Sequence, residues 1–149
     1  MTKWIIHQVE HGNQLMQEIA HIALDRATQR ELGYPMWSDK KHVWFLCYSL
    51  DDEMKRAVGC CSMRRDGRSM IFGHDAVCDA HRGQGIYDAL FKERLMAASQ
   101  TDVRRFRAVC TPMSVGTFAR YGFKVERESK NYTWMKMYNP SEVLDNSTV

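Results

Sequence analysis

Arg82-Gly83-Gln84-Gly85-Ile86 is the stretch of this sequence whose residue types most clearly suit a chemical task. Two glycines let a backbone approach a ligand without a Cβ in the way. The stretch lies between a strand-like run and a helix-like run, and the start of a helix leaves N–H groups without partners and carries partial positive charge. Glycine, arginine and such N–H groups together predict a binding site for a phosphate or diphosphate group.

The cysteines indicate no further chemistry of their own. They number five, an odd count that does not fit a disulfide framework, and no pair has the Cys-x-x-Cys spacing of a zinc site. A catalytic thiol needs a base and an orienting group, which the spacing around Cys78 and Cys110 does not supply. We therefore expect no metal, and reduced thiols that pack as small hydrophobic side chains.

Size and composition indicate one soluble domain over residues 1–149, with 44% hydrophobic and 26% charged residues. No apolar run approaches the roughly 18 residues needed to cross a membrane. The N-terminal residues lack the apolar core of a signal peptide, which predicts a cytoplasmic protein. The net charge is +3, with arginine clusters near residues 64–68 and 104–107. Solvated loop and strand ends are the favoured account of these clusters, so nucleic-acid binding ranks as the least favoured function.

Hydrophobic periodicity and turn residues predict the order of the elements. The predicted strands cover residues 3–9, 43–49, 56–63, 69–78, 104–110, 123–128 and 132–138. The predicted helices cover residues 14–32, 84–99 and 115–121, and a polar tail from Asn139 is expected to be loose. This order predicts an α/β (α+β) fold with a largely antiparallel sheet of six to seven strands, flanked by helices, and a central β-α-β crossover over residues 70–110.

Two motifs in this order resemble the GCN5-related N-acetyltransferase (GNAT) superfamily, over roughly residues 3–138. The family signature Arg/Gln-x-x-Gly-x-Gly/Ala, after the fourth strand, is similar to the run Arg82 to Tyr87, called the glycine loop below. The run Phe118 to Phe123 is similar to the family's late helix, which closes in Gly-Phe before the last hairpin. The resemblance implies a GNAT-like sheet with a central cofactor-binding β-α-β unit.

The resemblance also implies that the protein binds acetyl-coenzyme A as acetyl donor. The N–H groups of the glycine loop would hold the pyrophosphate, and the pantetheine arm would pair with the backbone near Val77, where this strand splays from the strand carrying Val109. Thr111 stands where the family often has a cofactor-holding Asn. The cofactor-binding residues implied are Val77, Arg82, Gly83, Gln84, Gly85, Ile86, Tyr87, Thr111 and Phe118.

The implied reaction is direct attack of a primary amine on the thioester, which requires a base and an acid. Asp75 shares a strand face with Val77 and is the candidate base, acting through water; the alternative is a solvated or paired carboxylate. Phe118 occupies the position where the family often has a tyrosine acid, so Tyr121 is the nearest phenol. The alternative is that Tyr121 only packs against its neighbours and that water protonates the leaving thiolate.

The loop after the first helix forms one wall of the acceptor site in the family, which makes Tyr34 and Trp37 the candidate acceptor contacts, with Asp39 beside them. Tyr87 departs from the Gly or Ala of the signature, so its side chain must point away from the ligand or the loop must differ. The resemblance implies an N-acetyltransferase. Family members often pair, which makes a homodimer one candidate state, and the sequence leaves the oligomeric state open. The alternative is a weak or inactive GNAT-fold protein that acts as an acyl-CoA-binding, interaction or inhibitory module.

Overall fold

The sheet and its helices are seen in a computed structural model, which describes residues 3–32 and 35–141. The helices are α1 (Asn13–Ala23), α2 (Arg26–Leu32), α3 (Ile86–Ser99) and α4 (Val115–Arg120). The strands are β1 (Trp4–Glu10), β2 (His42–Ser49), β3 (Ala57–Asp66), β4 (Ser69–Val77), β5 (Arg105–Cys110), β6 (Lys124–Glu128) and β7 (Thr133–Tyr138). Within this part of the chain, seven strands form one sheet in the order β1-β2-β3-β4-β5-β7-β6. The predicted α+β fold is confirmed.

The segment predicted as one helix over residues 14–32 forms two helices, which is a correction. The break lies at Asp25, whose carboxylate accepts the backbone N–H of Thr28 at 3.1 Å. An aspartate in this position is a favourable N-cap, so it starts α2 instead of continuing α1. The first helix begins at Asn13, directly after Gly12.

The chain divides into two compact units, and the first comprises Met1–Ser62 and His74–Arg94. Its core lies where α1 covers the sheet. Leu15, Ile19 and Ile22 of α1 are buried together with Trp44 and Leu46 of β2. The spacing of the three α1 residues places them on one helix face, and the apolar surface they bury is what holds a helix of this length in place.

The second unit comprises Met63–Gly73 and Leu95–Val149. Within it, β4 and β5 are parallel from the pair Ser69↔Arg105 to the pair Phe72↔Ala108, as the predicted crossover requires. β7 pairs antiparallel with both β5 and β6. The core is a cluster of phenylalanine rings, with centroids of interacting pairs 4.9 to 6.4 Å apart, from Phe72, Phe106, Phe118 and Phe123.

The expectation of a loose tail from Asn139 onward does not hold for Asn139 and Ser141. Asn139 is buried, and its side-chain amide donates to the carbonyls of Thr101 and Val103, the latter at 2.8 Å. The Ser141 hydroxyl donates to the carbonyl of Ser99 at 2.6 Å. These bonds satisfy backbone carbonyls at the end of α3 and in the connection that follows it, which fixes the chain beyond β7. The rest of the predicted tail, residues 142–149, lies outside the described residues.

All five cysteines are buried. Burial raises the pKa of the Cys47 and Cys61 thiols to about 12, so both stay protonated at neutral pH. In residues 3–32 and 35–141, no grouping of three His, Cys, Asp or Glu side chains has the arrangement of a metal site. No helix in these same ranges has the length and apolar character needed to cross a membrane.

Candidate functional site

The glycine loop lies where the sequence predicts it, between the end of β4 and the start of α3. A short 3-10 turn, Asp79–His81, precedes it. Gly83 and Gly85 have φ angles of 76° and 83°, in the left-handed region that favours glycine over residues with a Cβ. Among the described residues, the backbone N–H groups of Gly83 through Tyr87 have no hydrogen-bond acceptor. The loop thus presents a row of donors at the positive end of a 14-residue helix.

The side chain of Arg82 turns away from this row of donors. Its two terminal nitrogens donate to the two carboxylate oxygens of Glu31 on α2, and its Nε donates to the carbonyl of Val77 at 3.2 Å. Both side chains of the ion pair are about two-thirds buried. The bonds to Glu31 raise the pKa of Arg82, so the guanidinium is charged and its charge is offset locally. A diphosphate at this loop would therefore bind chiefly through backbone N–H groups, because the Arg82 charge is already paired with Glu31.

Asp75 of β4 is bound by two side chains of α3. Arg94 donates to both carboxylate oxygens, at 2.6 and 2.8 Å, and the Tyr87 hydroxyl donates to one of them at 2.7 Å. Arg94 also donates to the carbonyl of Ser62, and its guanidinium carbon lies 4.9 Å from the ring centroid of Phe91. Asp75 is therefore a paired carboxylate, which is the alternative given above to its role as catalytic base. A catalytic role for Asp75 stays a prediction.

The pKa values of this group follow from burial and charge. Burial raises the pKa of the Tyr87 hydroxyl, and the neighbouring Asp75 carboxylate raises it further, so Tyr87 is a neutral donor. Burial by itself lowers the pKa of Arg94, but the neighbouring Asp75, Cys61 and Tyr87 together outweigh that effect and leave the pKa above its usual range. A charged guanidinium and a neutral hydroxyl therefore both donate hydrogen bonds to Asp75.

An aromatic cluster lies on the first unit near the predicted acceptor loop. Trp37 is 46% exposed, and its ring lies nearly perpendicular to the His42 ring with centroids 4.6 Å apart. His42 Nδ1 lies 2.8 Å from the Asp39 carboxylate, and the buried His74 ring stacks on Trp44 at 5.0 Å. His74 has a φ of 56°, a strained conformation for a residue with a Cβ. Tyr34, the other predicted acceptor contact, lies outside the described residues.

The remaining predicted site residues belong to the second unit. Thr111 precedes α4, and its carbonyl accepts the N–H of Ser114 at 3.0 Å. Phe118 is buried in the phenylalanine cluster, with its ring centroid 4.9 Å from that of Phe123. Tyr121 is half-buried directly after α4, and the Arg120 guanidinium lies 5.6 Å from its ring centroid. Phe118 thus has the contacts of a core residue, while a role for any of the three in cofactor binding or catalysis stays a prediction.

Residues 10–139 match a family model described as an acetyltransferase (GNAT) domain. The chain belongs to this family. No curated protein sequence matches the chain. The GNAT assignment accounts for the element order and for the position of the glycine loop after β4.

Solved GNAT structures share this fold at low sequence identity. A putative N-acetyltransferase from Lactobacillus plantarum has a TM-score of 0.72 at 11% identity, over 93% of this chain and 99% of that chain. A spermidine N-acetyltransferase from Vibrio cholerae, solved in complex with CoA and spermine, has a TM-score of 0.70 at 12% identity, over 93% and 98%. The PaiA N-acetyltransferase from Thermoplasma acidophilum, in complex with coenzyme A, has a TM-score of 0.66 at 10% identity, over 90% and 99%. At such identities the likeness shows the fold alone.

Two residues of the candidate site, Glu31 and Arg94, were not predicted from the sequence. Arg94 follows Leu90 by four positions and Tyr87 by seven, so it lies on the apolar face of α3. A charged residue on such a face is a signal of a buried ion pair. Glu31 has no comparable signal, because its partner Arg82 is 51 residues away. The Tyr87 departure from the GNAT signature is explained by its bond to Asp75, which gives the ring and hydroxyl a place on the protein side of the loop.

Proposed function

We propose that the protein is an N-acetyltransferase that transfers the acetyl group of acetyl-CoA to a primary amine. The observation that carries the proposal is the row of backbone donors at the glycine loop, in a chain of the GNAT family. Five N–H groups that find no acceptor within residues 3–32 and 35–141, at the start of a helix, match the need of a diphosphate for many donors and a positive field. Solved CoA-bound relatives, such as the PaiA complex, support the same cofactor here.

The pantetheine arm is proposed to follow the end of β4. Its amides would pair with the backbone near Val77, as an added strand pairs with a sheet edge. The Val77 carbonyl already accepts the Arg82 Nε, which fixes the strand end beside the loop. Thr111 and Phe118 are proposed as further cofactor contacts by correspondence with the GNAT pattern, and each is open to test by substitution.

The proposed chemistry forms one bond and breaks another. The amine nitrogen attacks the thioester carbonyl carbon, the carbon–sulfur bond breaks, and CoA leaves as a thiolate. A protonated amine first gives one proton to solvent, which frees the nitrogen lone pair. The nitrogen then loses a second proton as the amide forms and the thiolate gains one, with no covalent enzyme intermediate. Because Asp75 is occupied by Arg94 and Tyr87, we propose that water carries the proton from the amine. Tyr121 or water protonates the thiolate.

The acceptor is proposed to enter beside Trp37. A half-exposed indole attracts a cation to its face, and the Asp39 carboxylate, 43% exposed, adds negative charge near it. These features suit a cationic amine. Since one similar structure is a spermidine N-acetyltransferase, polyamines stand first among the acceptors to test. A cytoplasmic location and a homodimer complete the proposal as predictions.

The test is an acetyl-transfer assay with the purified protein. Release of free CoA is followed with acetyl-CoA and a panel of polyamines, aminoglycosides, lysine peptides and free N-terminal peptides, with mass spectrometry of the products. Acetyl-CoA-dependent formation of an N-acetylated amine supports the proposal. Tight CoA binding without turnover on any amine would instead favour the binding-module alternative, and absence of CoA binding would exclude both.

A further inference from the structure

Glu31 lies on α2, and its carboxylate accepts two hydrogen bonds from Arg82 of the glycine loop. Among the described residues, these are the only hydrogen bonds of the Glu31 side chain. Three segments meet at Arg82: α2 through the Glu31 carboxylate, the end of β4 through the Val77 carbonyl, and the loop that Arg82 begins. The fork of an arginine side chain fits a carboxylate with two parallel bonds, which fixes direction as well as distance. The pair is about two-thirds buried on both sides, so water competes with it only in part.

We propose that Glu31 is a positioning residue: it holds Arg82, and thereby orders the glycine loop for the diphosphate of CoA. The inference rests on the proposed function for its ligand. A loop with two glycines loses more conformational freedom on ordering than other loops. A loop ordered before binding avoids that cost at the moment the ligand arrives, which strengthens binding without a new contact to the ligand.

The negative charge of Glu31 allows two hypotheses to be distinguished: that Glu31 orders the loop, and that Arg82 attracts the phosphate by its charge. A carboxylate near a diphosphate is unfavourable by Coulomb's law, and it offsets the one arginine charge that the loop itself contains. If Arg82 served to attract the ligand, removal of Glu31 would free its charge and tighten CoA binding. If Glu31 orders the loop, its removal weakens CoA binding despite the gain in positive charge. The two roles therefore predict changes of opposite sign.

The experiment compares the wild type with Glu31→Gln, Glu31→Ala, Arg82→Gln and the double variant Glu31→Gln/Arg82→Gln. The control is Glu126→Gln, which breaks an Arg107–Glu126 pair of similar exposure in the second unit. Backbone ¹⁵N relaxation measures the order of Gly83, Gln84 and Gly85 in the free protein. Calorimetry measures the Kd of CoA and of pantetheine, and steady-state kinetics give KM for acetyl-CoA and kcat.

We expect both Glu31 variants to lower the order parameters of the glycine loop from the rigid value of ~0.85 toward ~0.6. The Kd of CoA should rise about tenfold, the Kd of pantetheine should not change, and the loss should appear in KM with kcat retained. In the Arg82→Gln background, Glu31→Gln should add nothing to the loss of CoA affinity. The Glu126→Gln control should change none of these quantities.

Unchanged order parameters in both Glu31 variants would overturn the inference, as would tighter binding of CoA. A fall in melting temperature with unaltered order parameters and unaltered Kd would show that Glu31 serves stability alone. Failure of the proposed function has a different signature: the wild type would bind no CoA. The relaxation data, which need no ligand, would then still decide whether Glu31 orders the loop.

Discussion

The carboxylate of Asp75 lies 2.6 and 2.8 Å from the two terminal nitrogens of Arg94, whose side chain has no exposed surface. This ion pair joins β4 to α3, the two elements that flank the glycine loop. Removing one partner of a buried pair leaves an uncompensated charge, which costs about 3–5 kcal/mol. The pair therefore fixes the helix whose first turn supplies the proposed diphosphate donors.

We expect Arg94→Met and Asp75→Asn each to lower the free energy of unfolding by about 3–5 kcal/mol. The double variant should be less destabilised than the sum of the two, because no unpaired charge is left inside. Urea unfolding of the four proteins measures this coupling. As a control, Asp102→Asn breaks the exposed Arg65–Asp102 pair and should hardly alter stability. Additive losses in the double variant would show that Asp75 and Arg94 act independently.

Stability should fall in alkaline solution because of the buried thiols. Burial raises the pKa of Cys61 from 9.0 to about 12. Between these values the unfolded thiol loses its proton while the native thiol keeps it, so stability present below pH 9 is lost as the pH rises toward 12. The contribution of one such thiol has a slope of up to about 1.4 kcal/mol per pH unit.

Cys61→Ala should make the alkaline loss of stability shallower, whatever its effect on stability at neutral pH. Urea unfolding at several pH values on both sides of 9 gives the slopes for the wild type and the variant. Identical slopes would mean that the Cys61 thiol ionises in the native protein as readily as in the unfolded chain, contrary to its full burial against the Leu90 carbonyl.

Gly85→Glu should place a negative side chain at the glycine loop and reduce CoA affinity about a hundredfold, equivalent to about 2.7 kcal/mol. A Cβ at Gly85 would lie 3.7 Å from the Trp4 ring, an ordinary contact, so the effect would come from charge and backbone strain. Gly67→Glu is the matched control, because Gly67 also has a positive φ and open space around it. Equal CoA affinity in the Gly85 and Gly67 variants would show that the diphosphate of CoA does not bind at this loop.

Tyr121→Phe should leave kcat close to that of the wild type. Phenylalanine keeps the ring that Arg120 covers, and water can protonate the leaving thiolate. The exposed Tyr138 supplies a control variant, Tyr138→Phe, in the same unit. A fall in kcat of roughly a hundredfold or more for Tyr121→Phe alone would instead identify Tyr121 as the general acid.

Local patterns predicted most of the fold. The seven strands, the crossover helix and the short helix before Gly122 follow from periodicity and turn residues, each readable within a few positions. The division between α1 and α2 was missed, although Asp25 and Thr28 carry a local capping signal. The apolar residues continue at helical spacing through this segment, so periodicity predicts one helix, whereas the capping bond of Asp25 starts a second one.

The contacts that shape the candidate site could not be predicted from the sequence. Arg94 meets Asp75 across 19 residues, and Glu31 meets Arg82 across 51, so no short pattern records either pair. The motif predicted the glycine loop, but it presented Arg82 as a source of positive charge for the ligand. In the structure that charge is paired with Glu31, so the backbone N–H groups of the loop are the main donors for a diphosphate.

The most direct test of diphosphate binding at the glycine loop is a titration of ¹⁵N-labelled protein with CoA, followed by amide shifts in heteronuclear correlation spectra. We predict that the amides of Gly83 through Tyr87 shift most, in one saturable transition, and that pantetheine, which has no diphosphate, leaves them unshifted. Saturable CoA binding that leaves these five amides unmoved would contradict this placement, as would equal shifts with pantetheine.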